Sequence, residues 1–253
     1  IMARFRSYVF REEDGSLRFG SREDCIAIER VEWKHVKSRD SIILKLLHKP
    51  GNVAETIYDW LGVRIITTRL CDVMLAVKFL RQFHMINFAN CVPSRSGNNL
   101  VDRDRFQAHV DSLREMLQAG TITPQEFEAN MSKMTREEDL GIRNNPHSSR
   151  TYRSIHLTCR QMVRSRNPHL LWVDKLREEV ATEEGPKVIH DALIEELSDV
   201  VEGWQSVHDI SEFLAFFPFE VQILDAEAHA KVLGGDASHD RYKRSQVRTV
   251  RRR

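Results

Sequence analysis

The sequence predicts an α/β fold with mixed α+β character, in which a central mixed β-sheet is flanked by helices. Three observations point there. "LGVRIITT" (61–68), "TYRSIHLTC" (151–159) and the run from Phe217 in "FPFEVQIL" read as strands, through β-branched and aromatic residues or strict alternation. Segments of helical period lie between them. A hairpin with Asp14-Gly15 at its turn opens the chain.

The elements follow in order. "ARFRSYVFREEDGSLRFG" forms that hairpin. "SREDCIAIERVEWKHV" fits neither period and is open between helix and strand. "SRDSIILKLLH" is a short helix capped by Asp40 or Ser41 and closed by Pro50-Gly51, and "AETIYDW" adds a helical turn. Residues 70–83 carry Leu70, Val73, Val77 and Leu80 on one stripe of a helix. "PSRSGNN" reads as a loop. Residues 101–138 are helical, interrupted near "GTITP", where Thr123 and Pro124 start a second helix. "NPHLLWVDKLREEVATEEG" and "PKVIHDALIEELSDVVEGWQSV" are two more helices, and "AEAHAKVL" is a last one, broken at Gly234-Gly235.

Composition narrows the classes. The 253 residues are 41% hydrophobic and 30% charged, the make-up of a globular chain, with a net charge of only +1. No global charge points to a polyanionic or cationic partner. The segment "RYKRSQVRTVRRR" is locally basic and reads first as a solvated tail, second as a contact for RNA. Cys25, Cys71, Cys91 and Cys159 are widely spaced without a C-x-x-C pair, so neither a zinc site nor a disulfide framework is expected, and reduced cytoplasmic thiols are. "IMARFRSYVF" lacks the apolar core of a signal peptide, and no apolar run reaches the ~18 residues of a membrane span.

Polar residues recur on strand faces where a helix-covered sheet should be apolar. Tyr152, Ser154, His156 and Thr158 share one face of their strand. Arg64 interrupts "GVRIITT", with Asp59 just before it, and Glu220 and Gln222 share a face of the third strand. Each has a plain structural alternative: a strand-end carboxylate, an Arg64–Asp59 pair, a satisfied core histidine. Together they have the composition of a site built on a sheet.

The order of these residues resembles the synthetase domain of the RelA/SpoT family. "IYDWLGVRII", "YRSIH", "FEVQI" and "AEAHAKVLGGDASHDRYK" follow that family's D-x-x-G-x-R-I, N-G-Y-x-S-x-H, E-x-Q-I-R-T and H-x-x-A-E-x-G-x-A-A-H-x-x-Y-K patterns, and "VKSRDSIILKL" is similar to its K-S-x-x-S-I-x-x-K phosphate-binding helix. The resemblance covers most of residues 34–84, 150–160 and 216–244. It implies a nucleotidyltransferase-like fold over 1–253 as a single domain, with helical insertions at about 90–146 and 163–212. The implied reaction moves the β,γ-pyrophosphate of ATP to the 3′-hydroxyl of GDP or GTP. Asp59 and Glu220 match the acidic pair that holds Mg2+ and serves catalysis. Lys37, Ser41, Lys45 and Arg64 match the ATP-binding positions. Tyr152, Ser154, His156, Gln222, Arg241 and Lys243 fall on the acceptor side, with Tyr152 as the platform for the base.

The chain departs from the pattern mainly on that acceptor side. Arg150-Thr151 replace Asn-Gly, Leu224-Asp225 replace Arg-Thr, and Leu233 replaces a glutamate. Two other readings therefore stand beside a guanine-nucleotide synthetase: a toxin-like enzyme that pyrophosphorylates a tRNA 3′ end, and an inactive nucleotide-binding regulatory module. A homo-oligomer is left open. His190-Asp191, His208-Asp209 and His239-Asp240 resemble the metal-binding dipeptides of a phosphohydrolase, but that reading is not expected, because two of them fall in a helical insertion and the third in the synthetase-like segment.

Overall fold

The computed structural model describes residues 1–34, 42–43, 46–47, 58–133, 152–166 and 212–234. Seven strands form one mixed sheet: β1 Val9–Arg11, β2 Leu17–Gly20, β3 Cys25–Lys34, β4 Leu61–Thr67, β5 Gly97–Asn98, β6 Ile155–Arg166 and β7 Glu212–Asp225, in the spatial order β1-β2-β3-β4-β7-β6-β5. The helices are α1 Met2–Arg6, α2 Leu70–Gln82, α3 Arg103–Gln118, α4 Pro124–Ser132 and α5 Ala226–Gly234. The α/β class is as expected.

The first four strands run antiparallel, and β4 then pairs in parallel with β7. The Asp14-Gly15 turn is present, with Gly15 at φ 82°, a conformation that glycine adopts without steric penalty. The hairpin is shorter than the sequence implies: residues 2–6 are helical, because Phe5 turns into the core and meets Phe219 edge-on at 6.1 Å.

The ambiguous segment 25–34 is strand, and its ambiguity has a physical cause. Between Ile28 and Arg30 the pairing with β4 slips by one residue. This bulge puts Ile26, Ile28, Val31 and Trp33 on one face at spacings of two, three and two, so neither a strand nor a helix period fits. Opposite them lie Val63, Ile65 and Thr67 on β4, then Val221 and Ile223 on β7, all buried. Helix α2 covers this face, with Phe79 meeting Phe19 edge-on at 6.4 Å.

The predicted loop "PSRSGNN" contains more order than its composition suggests. Gly97-Asn98 adds a two-residue edge strand opposite Ile155 and His156. The Asn98 side chain accepts from Leu100 N and Val101 N, and Asn99 donates to the Tyr152 carbonyl at 2.8 Å. The helical reading of 101–138 matches α3 and α4 over the described residues. Thr123 caps α4 in a reciprocal capping box with Glu126, and Pro124 takes the first helical position. Arg69 ties α4 to α2, holding Asp72 through Nε and Nη2 at 2.8 and 2.9 Å and reaching Glu128 at 3.3 Å and Ser132 at 3.0 Å.

The chain divides into two compact units, Ile1–Arg160 with Pro218–Arg253, and Gln161–Phe217. The first carries the sheet core and the helices described above. The described residues of the second are the C-terminal part of β6 and the N-terminal part of β7, where Arg164 Nε meets Glu212 Oε2 at 3.5 Å.

Candidate functional site

The face of the sheet opposite α2 carries the polar residues. Cross-strand partners point the same way, so the ladder registers define two rows. One row is Glu32, Arg64 and Gln222; the next is Lys34, Gly62 and Glu220. Further along the same face Ile66 and Leu224 are buried beneath α5, whose Ala228 and His229 are also buried. The helix therefore covers one end of the face and leaves the polar rows at the other.

In the first row Arg64 is held from two sides. Its Nη1 donates to Glu32 Oε2 at 2.8 Å and its Nε to Gln222 Oε1 at 3.0 Å. The same Gln222 oxygen accepts from the Tyr152 hydroxyl at 3.2 Å. Glu32 in turn meets Nε2 of buried His229 at 3.1 Å through its other oxygen. A continuous polar chain thus runs from α5 across β3, β4 and β7 to the residues entering β6. Arg64 and Asp59 do not need to satisfy each other, as the plain reading of the sequence allowed; Arg64 has these other partners.

In the second row Gly62 leaves room for its neighbour Lys34. A Cβ there would lie 3.3 Å from Cβ and 3.4 Å from Cδ of Lys34, so glycine lets the lysine stem cross β4 toward Glu220. Glu220 is only 15% exposed in its side chain, and His156 Nε2 lies 3.5 Å from its Oε1. Burial, the largest single influence, pushes the Glu220 carboxyl up, and the negative charge of Asp59 adds to that. The contact with His156 and the charge of Lys34 pull it down, and the net result is a carboxyl held below its ordinary value. Glu220 is thus ionised at neutral pH. Asp59, buried just before β4, is close enough for its charge to be felt at Glu220.

The structure places the remaining sequence-selected residues unevenly. Tyr152 is half-buried against the core, and its hydroxyl is bonded to protein. Ser154 is buried; its backbone N–H donates to Asn99 Oδ1 at 2.8 Å, and its hydroxyl finds no partner among the described residues. Thr158 is also buried, donating to the Arg95 carbonyl at 2.9 Å. Alternation along this strand therefore does not separate a wet face from a dry one, because Asn99 and Arg95 cover the second side. Lys37, Ser41, Lys45, Arg241 and Lys243 lie outside the described residues, as do His190 and Asp191.

Sequence reasoning missed Glu32 and Lys34, and met His229 only as the first residue of a motif, without a role at the site. A signal for the first two existed, since Arg30, Glu32 and Lys34 alternate with Val31 and Trp33, but the bulge hid it. A second basic feature was also missed. Arg95 and Arg160 lie 4.8 and 5.1 Å from the ring of Tyr58, the residue before Asp59, and Arg160 Nη2 donates to the Tyr58 hydroxyl at 2.9 Å.

Asp59 and Glu220 would offer carboxylate oxygens to a hard divalent cation such as Mg2+, which commonly takes one or two protein carboxylates with the rest of its shell from water and phosphate; among the described residues no group of three or more His, Cys, Asp or Glu is gathered as a metal site. Among the described residues, no helix is long and apolar enough to cross a membrane.

These features define an α/β protein whose polar site is built on one face of a mixed sheet. Among solved structures the chain is similar to small alarmone synthetase 1 from Bacillus subtilis bound to its product pppGpp, at 14% identity and a TM-score of 0.33, covering 89% of this chain and 72% of that one. It is also similar to small alarmone synthetase 2 from Bacillus subtilis, at 16% identity and a TM-score of 0.31, covering 88% and 73%. A further structure of synthetase 1 gives 13% identity, a TM-score of 0.33 and coverage of 88% and 74%. No family model and no curated protein matches the chain.

Proposed function

We propose that this protein is a pyrophosphotransferase that moves the β,γ-pyrophosphate of ATP to the 3′-hydroxyl of a guanine nucleotide. The observation that supports the reading is the polar sheet face that gathers Glu220, Arg64, Gln222, Tyr152 and His156 from distant parts of the sequence, with Asp59 near enough for its charge to act on Glu220. The motifs that resemble the RelA/SpoT synthetase pattern supply the reaction class.

The roles follow from the chemistry of the groups. Asp59 and Glu220 would hold Mg2+, which when bound neutralises charge on the transferred phosphates. Arg64 Nη2 has no partner among the described residues and remains available to a phosphate oxygen. Lys34, beside Glu220, adds a second cation. A carboxylate held ionised is a weak proton acceptor, because a general base works best with a pKa near the operating pH. Glu220 therefore serves better as an anionic anchor, with the His156 imidazole held beside it. Tyr152 presents an aromatic face to the acceptor base, steadied by its bond to Gln222.

A second reading replaces the free nucleotide by an RNA 3′ end. Arg95 and Arg160 gather around Tyr58 next to Asp59, a concentration of positive charge beyond what one pyrophosphate acceptor needs. The deciding experiment incubates the protein with labelled ATP and Mg2+ plus GDP, GTP, ATP or tRNA in turn. A pyrophosphorylated nucleotide supports the first reading and a pyrophosphorylated tRNA the second. ATP binding without transfer to any acceptor would leave a nucleotide-binding regulatory module.

A further inference from the structure

Cys91 and Cys159 face each other in an antiparallel bridge, with their Sγ atoms 3.4 Å apart. The flanking hydrogen bond runs from Val92 N to Thr158 O at 2.8 Å, which makes the cysteines a non-hydrogen-bonded pair. At such positions antiparallel Cα atoms approach to about 4.5 Å. That separation lies within the roughly 4.4–6.8 Å that a disulfide spans. The segment is already clamped to β6 around the pair: Thr158 Oγ1 donates to the Arg95 carbonyl at 2.9 Å, and Thr158 N to Ser96 Oγ at 3.0 Å. A covalent link here needs little backbone movement.

The two thiols are free but unequal. Cys159 is buried, whereas Cys91 is partly exposed. The hydrogen bond between them holds Cys91 below its ordinary value; the same bond and burial push Cys159 well up. Cys91 is thus the thiol more readily deprotonated and reached from solvent. Cys71 offers a contrast, since burial pushes it up to about 11 and it sits beside Asp72 instead of a second thiol.

We propose that Cys91 and Cys159 are an oxidative modification site, in which Cys91 reacts with a small-molecule disulfide of the glutathione type and Cys159 resolves the adduct into an intramolecular disulfide. In the first step the Cys91 thiolate attacks one sulfur of the small disulfide, forming a mixed disulfide and releasing one small thiolate. In the second step Cys159 gives its proton to solvent, its sulfur attacks Cys91 Sγ, and the second small thiol leaves. Overall the two cysteines lose two electrons and the small disulfide is reduced to two thiols. The product ties the segment carrying Arg95 to the strand carrying His156 and Arg160. This inference does not depend on the proposed reaction.

The test incubates the folded protein with oxidised glutathione, blocks remaining thiols with iodoacetamide and maps the peptides by mass spectrometry. The expected result is two of the four thiols lost, a Cys91–Cys159 cross-linked peptide, and reversal by dithiothreitol. Cys159→Ala, or Cys159→Ser should the alanine variant not fold, retains a glutathione adduct on Cys91, and Cys91→Ser accumulates neither adduct nor cross-link. Cys25→Ser behaves as wild type. Four thiols still alkylated after prolonged treatment, or a cross-link through Cys25 or Cys71, overturns the proposal.

Discussion

Glu32 and Arg64 are direct cross-strand partners, and their side chains close to 2.8 Å on the polar face of the sheet. The arginine that the sequence assigns to ATP phosphates is therefore already held by a carboxylate, which in turn meets His229.

Glu32→Gln removes a negative charge beside the phosphate site while keeping one acceptor oxygen, which can face Arg64, with the amide NH2 toward His229. ATP affinity should rise roughly three- to tenfold, the effect of one partly screened like charge. Stability should fall by only about 1 kcal/mol, because both members of the pair are about one-third exposed. Calorimetric titration with ATP and urea denaturation check the two halves; weaker ATP binding would show that Arg64 depends on Glu32 for its position.

Asp59→Asn and Glu220→Gln should each lower pyrophosphate transfer by about a hundredfold or more with the fold intact, since the lost charge acts where charge develops. Circular dichroism and a product assay separate the two effects. An active Asp59→Asn enzyme would remove this residue from the chemistry.

Tyr152→Ala should weaken binding of the acceptor roughly ten- to hundredfold, the ~1–3 kcal/mol of one stacked base, and change ATP binding little. Tyr152→Phe keeps the ring and loses only the bond to Gln222, so it should retain most of that affinity. Equal acceptor affinities in wild type and Tyr152→Ala would assign the ring to packing alone.

Glu220 sets a pH dependence. Its folded-state pKa is below the unfolded value, so its contribution to stability is complete above the ordinary glutamate range of about 4.3 and is lost as pH falls through the lowered folded value. In His156→Gln the contact that pulls Glu220 down is gone, so burial pushes its carboxyl up relative to the wild type. The part of the stability that Glu220 contributes and that acid removes should then be smaller, read from urea midpoints measured between neutral pH and pH 3. Superimposable profiles would mean that the 3.5 Å contact does not set the charge of Glu220.

Arg69→Met should destabilise the fold by about 3 kcal/mol, because it strands the fully buried Asp72 carboxylate. Arg69→Met combined with Asp72→Leu should recover most of the loss, and thermal melts of the two variants give the comparison.

Several features were legible in the sequence because they rest on local chemistry. Thr123-Pro124 starts a helix through its own hydroxyl and ring, Asp14-Gly15 makes a turn through a positive φ, and the alternation in "FEVQI" separates a core face from a polar one. The order of Asp59, Arg64, Tyr152 and Glu220 along the chain was equally plain. Tertiary structure alone decided which residues stand beside them. A one-residue bulge after Ile28 turned Glu32 and Lys34 onto the site face, and α5 brought His229 down on Glu32. Asn99 and Arg95, from a segment that reads as a loop, closed over Ser154 and Thr158 and took them out of the polar face. Side-chain period is a property of one strand, whereas what covers each face is set by partners far away in sequence; the first can be read from residues in line, the second only from how the chain folds back on itself.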